Sequence, residues 1–293
     1  MQNQRNKNLE AFTIIELSVI LAVMGLMIII VLPTLARDQA GSANLVCLRN
    51  LSRFASAMSM YASDFQDYLP PNPDDGSTIA GNNWCPGNAG RGGAQEYNSD
   101  ILKDNKRALL ANYLGEDVNV YRCVLDLRTG FYQGTNQALK GMRVPSARTV
   151  SLNGAVGTNP YKKGKTAVDA PWLDGMHTHT VNKTWYCYAK TSDFVQPGPG
   201  ETFTFIEEDT YSINDGHLGC MAPNPQSSYK MIDWPSTLHA MSGPIAFADG
   251  HVEMHRWTDS RTKVYKGNVA AAIQMGNSDL DWLAKHTTAL IKQ

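Results

Sequence analysis

An apolar run near the start of the chain, from Phe12 to Ala36, constrains the fold more than any other feature of the sequence. It contains a single ionisable residue, Glu16. Because about 20 consecutive apolar residues span a bilayer as a helix, the run predicts a transmembrane helix over about 12–36. The basic residues Arg5 and Lys7 precede it, which predicts a cytoplasmic N-terminus and an exported remainder.

Glu16 is an unusual residue for a simple membrane anchor. A carboxylate inside such a helix costs roughly 2.5–3.5 kcal/mol on insertion scales. A charge retained at that cost indicates a functional residue with a partner.

The residues around Glu16 have a recognisable order. Ala11 is followed by Phe12, three further residues, Glu16 and then the apolar helix. This order resembles the N-terminal segment of type IV pilins and type II secretion pseudopilins, although Ala11 stands where that family usually has glycine. The resemblance implies that prepilin peptidase cuts between Ala11 and Phe12 and methylates the new amino group. It also implies that Glu16 binds the N-terminal amine of a neighbouring subunit. The alternative is a plain single-pass anchor or an uncleaved signal sequence.

The domain organisation follows from this reading. Residues 1–11 are predicted to be a cleaved leader, 12–65 a long N-terminal helix, and 66–293 an exported globular domain. The second half of the helix has one apolar stripe to bury, at positions spaced by three and four residues: Leu48, Leu51, Ala55, Met58, Ala62 and Phe65. The predicted fold class is α+β, with a long transmembrane and filament-core helix packed on an antiparallel sheet and a large, loop-rich C-terminal elaboration.

Local patterns predict the elements of the globular domain. Alternating or β-branched segments indicate strands, and an Asp-Gly pair between such segments indicates a hairpin turn. The predicted strands are 118–123, 148–152, 184–189 and 202–207, followed by a hairpin over 244–257; helices are predicted at 101–114, 270–275 and 279–291.

Charge and cysteine content restrict the possible functions further. Lys plus Arg number 26 and Asp plus Glu number 27, so the chain lacks the basic excess of a nucleic-acid-binding protein. It has five cysteines, and export to an oxidising compartment predicts disulfide bonds with one thiol left over. The absence of a CxxC pair disfavours a cysteine zinc ribbon.

The C-terminal part carries a second pattern. His239 is followed, after nine residues, by Asp249 and Gly250. This resembles the His-x9-Asp-Gly signature of a group of large prepilin-like proteins, and the segments CLRNLSRF, YRCVLD and FIEEDT resemble other parts of that group. The resemblance brings the segments of Cys47 and Cys123 together, so these two are the preferred disulfide pair. Cys187 and Cys220 are the next candidates.

Three interpretations of the signature remain open. In the first, His239 and Asp249 are buried together at the base of the hairpin and make structural hydrogen bonds. In the second, Asp209 and Asp249 bind calcium, which suits oxygen ligands and which secretion pseudopilins often hold beside their sheet. The third is a catalytic metal. Of the two metal interpretations, calcium is the preferred one.

Two weaker patterns are also present in the sequence. His177 and His179 could bind a metal from one strand face, and the tryptophans could form a sugar-binding platform. A polar loop and a set of core anchors are the simpler explanations.

The resulting functional expectation is a structural subunit, not an enzyme, because no HExxH motif, nucleophile elbow or phosphate-binding loop is present. The chain is expected to form a type IV pilus-like or type II secretion pseudopilus filament through its N-terminal helix. Expected partners are copies of itself, other pilin-like subunits, prepilin peptidase, an inner-membrane assembly platform and, before assembly, membrane lipid. The expected location is a single-pass inner-membrane protein that becomes a periplasmic or extracellular filament. The alternatives are a minor, assembly-priming subunit and a membrane-anchored periplasmic binding protein or enzyme.

Overall fold

A computed structural model describes residues 14–223, 229–264 and 272–292. Within the first helix the side chains of Glu16, Gly25 and residues 27–40 lie outside that description, as does the side chain of Ala272. The chain divides into two units, Met1–Ser42 and Ala43–Gln293. The predicted boundary between 65 and 66 therefore falls inside the second unit.

The described residues form two α-helices, nine short strands and several 3-10 turns. The helices are α1 (Ile14–Asp64) and α2 (Ser278–Thr287). The strands are β1 (Thr129–Phe131), β2 (Arg143–Pro145), β3 (Val150–Asn153), β4 (Phe203–Glu207), β5 (His217–Leu218), β6 (Lys230–Met231), β7 (Ser242–Phe247), β8 (Val252–Arg256) and β9 (Ala272–Ile273). The 3-10 turns are Ser99–Leu102, Asn112–Leu114, Val118–Tyr121, Gln137–Leu139, Pro171–Asp174, Thr191–Asp193 and Ser260–Thr262.

A five-stranded sheet in the order β5-β3-β4-β7-β8 organises the second unit. Its pairs are antiparallel except β3 with β5, which is parallel, so the sheet is mixed and not purely antiparallel as predicted. Every residue of β3 and β4 is buried. These central strands are therefore covered on both faces, which explains their near-continuous apolar and hydroxyl-bearing composition.

The core of this unit is centred on Phe54 of α1. Its ring lies 5.0 Å from that of Tyr121, 5.8 Å from that of Trp84 and 5.1 Å from that of Phe205 on β4, measured between centroids. The contacts with Trp84 and Tyr121 are edge-to-face, the arrangement that aromatic quadrupoles favour. These contacts pack the second half of α1 against the sheet.

The predicted stripe on this part of α1 is confirmed in its middle and wrong at its end. Leu51, Ala55, Met58 and Ala62 are buried, whereas Phe65 is exposed. Phe65 follows the last residue of α1, and its ring stacks on that of Tyr61 with 4.2 Å between centroids instead of entering the core.

The predicted transmembrane segment is wrong. Among the residues that the structure describes, none of the helices combines the length and the apolar character that a membrane crossing requires. The single-pass inner-membrane location that depended on this helix is corrected with it, and the α+β class remains because helices and sheets are both present.

The predicted leader and its cleavage site lie outside the described part of the chain. Residues 1–11, including Ala11, and also Phe12 lie outside the described residues. The side chain of Glu16 does too, so its role in assembly stays a prediction.

The predicted hairpin, two of the predicted strands and the last predicted helix are confirmed by the structure. The predicted hairpin is β7 and β8, which pair in antiparallel register from Ser242 opposite Arg256 to Ala246 opposite Val252. Gly250 follows Asp249 in the turn with a φ of +94°, a conformation that glycine adopts without strain. The strands predicted at 148–152 and 202–207 are β3 and β4, and the last predicted helix is α2.

Other segments depart from their local pattern. The alternating segment 118–123 begins as a 3-10 turn because the carboxylate of Asp117 accepts a hydrogen bond from the backbone N–H of Asn119. The helix predicted at 101–114 is reduced to separate 3-10 turns, and 270–275 contains the short strand β9. The segment 184–189 makes isolated bridges only.

Candidate metal centre

Four side chains with metal-ligand chemistry meet inside the second unit: Cys47, Cys123, Glu207 and His239, here called the buried cluster. One ligand atom of each lies within 4.8 Å of those of the other three, and all four residues are buried. Among the described residues they are the only group of three or more histidine, cysteine, aspartate or glutamate side chains arranged in this way.

Cys47 enters the cluster from α1. It is four residues before Leu51 and seven before Phe54, so it continues the buried stripe of the helix towards its N-terminal side. The same spacing that buries the helix against the sheet therefore places a thiol inside the protein.

Cys123 and Glu207 enter from segments joined to the sheet. The backbone N–H of Cys123 donates a 2.7 Å hydrogen bond to Oγ1 of Thr149, the residue before β3. Glu207 is the last residue of β4 and pairs with Val150 of β3. The end of β4 therefore lies beside the loop that holds Cys123.

His239 enters from the turn before β7. Its backbone N–H donates to the carbonyl of Ser242 at 3.3 Å. The Nδ1 atom of its ring lies 2.7 Å from Oδ1 of Asn44, and Nε2 faces the other three members of the buried cluster. The ring is thus oriented by a group on α1.

The distances within the buried cluster are short. Sγ of Cys47 lies 3.6 Å from Sγ of Cys123, which is 3.3 Å from Nε2 of His239. The same Nε2 lies 3.3 Å from Oε2 of Glu207. That oxygen has no hydrogen-bond partner in the described part of the chain, so its approach to the histidine is a charge contact and not a directed bond.

Proton affinities in the buried cluster are strongly altered. Burial raises the pKa of Glu207 to about 7. The hydrogen bond between the thiols lowers the pKa of Cys47 to about 4 and raises that of Cys123. Burial alone would lower the pKa of His239, but its contacts with Cys47 and Glu207 outweigh this and raise it to about 9.

No disulfide joins the two cysteines. A disulfide requires an S–S distance of about 2.05 Å, well below the 3.6 Å between Cys47 and Cys123. All five cysteines are buried free thiols. The structure brings the preferred pair together without a bond, and Cys187 and Cys220 are not bonded either.

The signature histidine and aspartate occupy different places. The carboxylate of Asp249 is exposed and lies 2.6 Å from Nδ1 of His251, whose backbone N–H donates to it at 3.0 Å. The expectation that Asp249 is buried beside His239 is therefore wrong. The nine intervening residues contain the whole of β7, a strand roughly 20 Å long, so the two ends of the signature lie beyond opposite ends of that strand.

Asp209 and Asp249 have different hydrogen-bond partners. It is buried, and its Oδ1 accepts a 2.9 Å hydrogen bond from the backbone N–H of Tyr211. Neither aspartate belongs to the buried cluster. Calcium at these two residues gains no support from this arrangement and stays a prediction.

The two histidines and the tryptophans of the weaker patterns form neither a shared metal site nor a surface platform among the described residues. His177 is exposed and lies 2.9 Å from Asp74, whereas His179 is buried against the carbonyl of Asp169. Most tryptophans, including Trp84 and Trp257, are fully buried and act as core residues, not as a surface platform.

The sequence patterns mark Cys47, Cys123 and His239 as candidate residues but do not combine the two cysteines with His239 or with Glu207. They lie far apart in the sequence, and no short spacing of ligand residues links them. Asn44 was missed because nothing in its local sequence marks it.

Asp215 is a further buried acid, outside the buried cluster. Burial raises its pKa to about 6, although His217 and Arg148 favour its charged form. An unfolded aspartate has a pKa of about 3.9, so the folded chain holds a proton that the unfolded chain has lost between about pH 4 and 6. The contribution of Asp215 to the free energy of unfolding is therefore fully present below about pH 4 and is lost, by up to roughly 3 kcal/mol, as the pH rises through 6.

Asp215→Asn should flatten this part of the pH profile in urea unfolding. The control is Asp281→Asn, which changes an exposed carboxylate on α2 and should keep the parent's profile. An Asp215→Asn chain with the parent's slope would contradict the assignment.

Comparison of the chain with protein-family models, with curated proteins and with solved structures finds no match in any of the three. The function is therefore argued from the geometry and from the chemistry of the residues.

Proposed function

We propose that the chain is a structural subunit of a pilin-like filament and assembles with copies of itself through the N-terminal part of α1. The observation that carries this proposal is a dense set of exposed, large apolar side chains at the start of the helix. They are Ile14, Ile15, Leu17, Val19, Ile20, Leu21, Val23, Met24 and Leu26.

These side chains cover more than one face of the helix. Ile14 is 84% exposed and Leu26 is 65% exposed, and successive positions such as Ile20 and Leu21 point in different directions. A helix that is apolar all round is normally buried, and a large exposed apolar surface marks an interaction site. Equivalent helices from other copies offer a matching apolar surface.

The gain from such packing is sufficient for assembly. Burying one leucine, isoleucine or valine side chain contributes about 1.5–3 kcal/mol. Several such residues per subunit offset the loss of rotational and translational freedom, which is of order 4–15 kcal/mol. The resemblance of the N-terminal residues to pilins supports the same role.

Leu21→Lys in the full chain should lower the association constant by about tenfold or more, because a charge replaces an apolar contact at the helix interface. Sedimentation velocity gives the assembled fraction, and electron microscopy of the same samples shows whether the assemblies are filaments.

The matched control is Leu127→Lys, which places the same charge at a leucine that is 87% exposed in the second unit. It should assemble like the parent. A parent chain that stays monomeric at high concentration, or equal assembly of the two variants, would overturn the proposal.

A further inference from the structure

We propose that the buried cluster is a structural zinc site, in which Cys47, Cys123, Glu207 and His239 bind one zinc ion. This inference does not depend on filament assembly, because every residue in it belongs to the second unit.

Three of the six ligand-atom distances match those around a tetrahedral zinc ion, and the remaining ligand atoms also lie within 4.8 Å of one another. Zinc lies about 2.3 Å from sulfur and about 2.0–2.2 Å from nitrogen and oxygen. A regular tetrahedron with these bonds places sulfur about 3.8 Å from sulfur, sulfur about 3.6 Å from nitrogen, and nitrogen about 3.3 Å from oxygen. The corresponding distances in the buried cluster are 3.6, 3.3 and 3.3 Å.

The orientation of His239 is that of a metal ligand. In the neutral ring that a metal binds, Nδ1–H donates to Oδ1 of Asn44, 2.7 Å away, and the lone pair of Nε2 is directed at the cluster centre. A metal-binding histidine characteristically donates its other ring N–H to an oxygen acceptor. Asn44 is one helical turn before Cys47, so α1 supplies both a ligand and the group that orients a second ligand.

Glu207 provides an independent observation. Its Oε2 is buried and has no hydrogen-bond partner among the described residues. A buried carboxylate oxygen without a bond is costly, and structures normally satisfy such an atom. A zinc ion at the cluster centre supplies the missing partner.

The types and the number of the ligands indicate which metal binds and whether the ion is structural or catalytic. Thiolates and imidazole suit zinc, whereas calcium and magnesium require oxygen ligands. Four protein ligands fill a tetrahedral site, whereas catalytic zinc keeps one position open for water or substrate. The ion would therefore tie α1, the end of β4 and the turn before β7 together, and would perform no chemistry.

The first test uses the full chain under reducing conditions. After metal removal and reconstitution, elemental analysis should find one zinc per chain, and cobalt in its place should give the visible absorption of a tetrahedral thiolate site. Chelation should lower the Tm, and added zinc should restore it, because metal binding contributes to folding.

Four variants locate the ion. Glu207→Gln and His239→Ala should lose stoichiometric zinc, and Asn44→Ala, which keeps all four ligands, should weaken zinc binding by about 10–100-fold. The control is Cys187→Ser, which removes a buried free thiol outside the buried cluster and should keep zinc. Circular dichroism shows whether each variant is folded.

Several outcomes would overturn the inference. A reduced parent chain that binds no zinc, or a parent that binds iron or copper in preference to zinc, contradicts it. So does a Cys47–Cys123 disulfide in protein purified from cells. Zinc retained by folded Glu207→Gln and Asn44→Ala chains at the parent's affinity would place any bound ion elsewhere.

Discussion

Arg128→Met is expected to lower the free energy of unfolding by about 3–5 kcal/mol, because it leaves buried carboxylates without their counter-ion. The guanidinium of Arg128 donates from Nε and Nη2 to the carboxylate of Asp126 at 2.9–3.1 Å, and Nη2 also donates to the carbonyl of Arg148 at 3.1 Å. Glu96 lies 3.6 Å from Nη1. Both carboxylates are almost fully buried, so water cannot solvate either negative charge once the guanidinium is removed.

The matched control is Arg261→Met. Arg261 makes the same kind of paired contact with Asp259, also two residues earlier in the chain, but its side chain is 46% exposed. Water and salt screen that pair, so its loss should leave stability unchanged within error. Urea unfolding of the two variants measures the difference, and similar midpoints would show that the Arg128 network contributes little.

Phe54→Ala is the second substitution with a large expected effect, a loss of about 3–5 kcal/mol. Its ring contacts Trp84, Tyr121 and Phe205, and none of these large side chains can move into the space without losing its own contacts. The change therefore removes buried apolar area and leaves a cavity between α1 and the sheet.

Phe65→Ala provides the comparison, since it removes the same ring just beyond the end of α1, where the side chain is 40% exposed. It should cost less than about 1 kcal/mol. Thermal and urea unfolding under identical conditions give both values, and a Phe54→Ala chain as stable as the Phe65→Ala chain would show that the core is not centred on Phe54.

The elements that the sequence predicted correctly are those determined by a local signal. Asp249 and Gly250 determine a hairpin because glycine permits the left-handed turn, and the β-branched and aromatic residues of β4 favour a buried strand. The alternating pattern of 118–123 predicts a strand, but the segment begins as a 3-10 turn. The carboxylate of Asp117 accepts a hydrogen bond from the backbone N–H of Asn119, and this contact outweighs the alternating pattern.

The site could not be predicted in the same way, because no short spacing connects its members. Cys47 and His239 are almost two hundred residues apart, and only the fold brings them together. Nearness in sequence suggested instead that His239 faces Asp249, but β7 lies between them and separates them. The apolar composition at the N-terminus likewise predicted a membrane crossing that the described helices do not provide.

The wide separation of the four cluster residues also has a kinetic consequence during synthesis. The chain grows from its N-terminus at about 5–20 residues per second, so Cys47 is made roughly 10–40 seconds before His239 exists. For that interval its thiol has no complete set of native neighbours and is open to oxidation and to thiol exchange with other chains. A cluster with two reduced thiols therefore forms only in a nascent chain whose Cys47 stays reduced until His239 has been made.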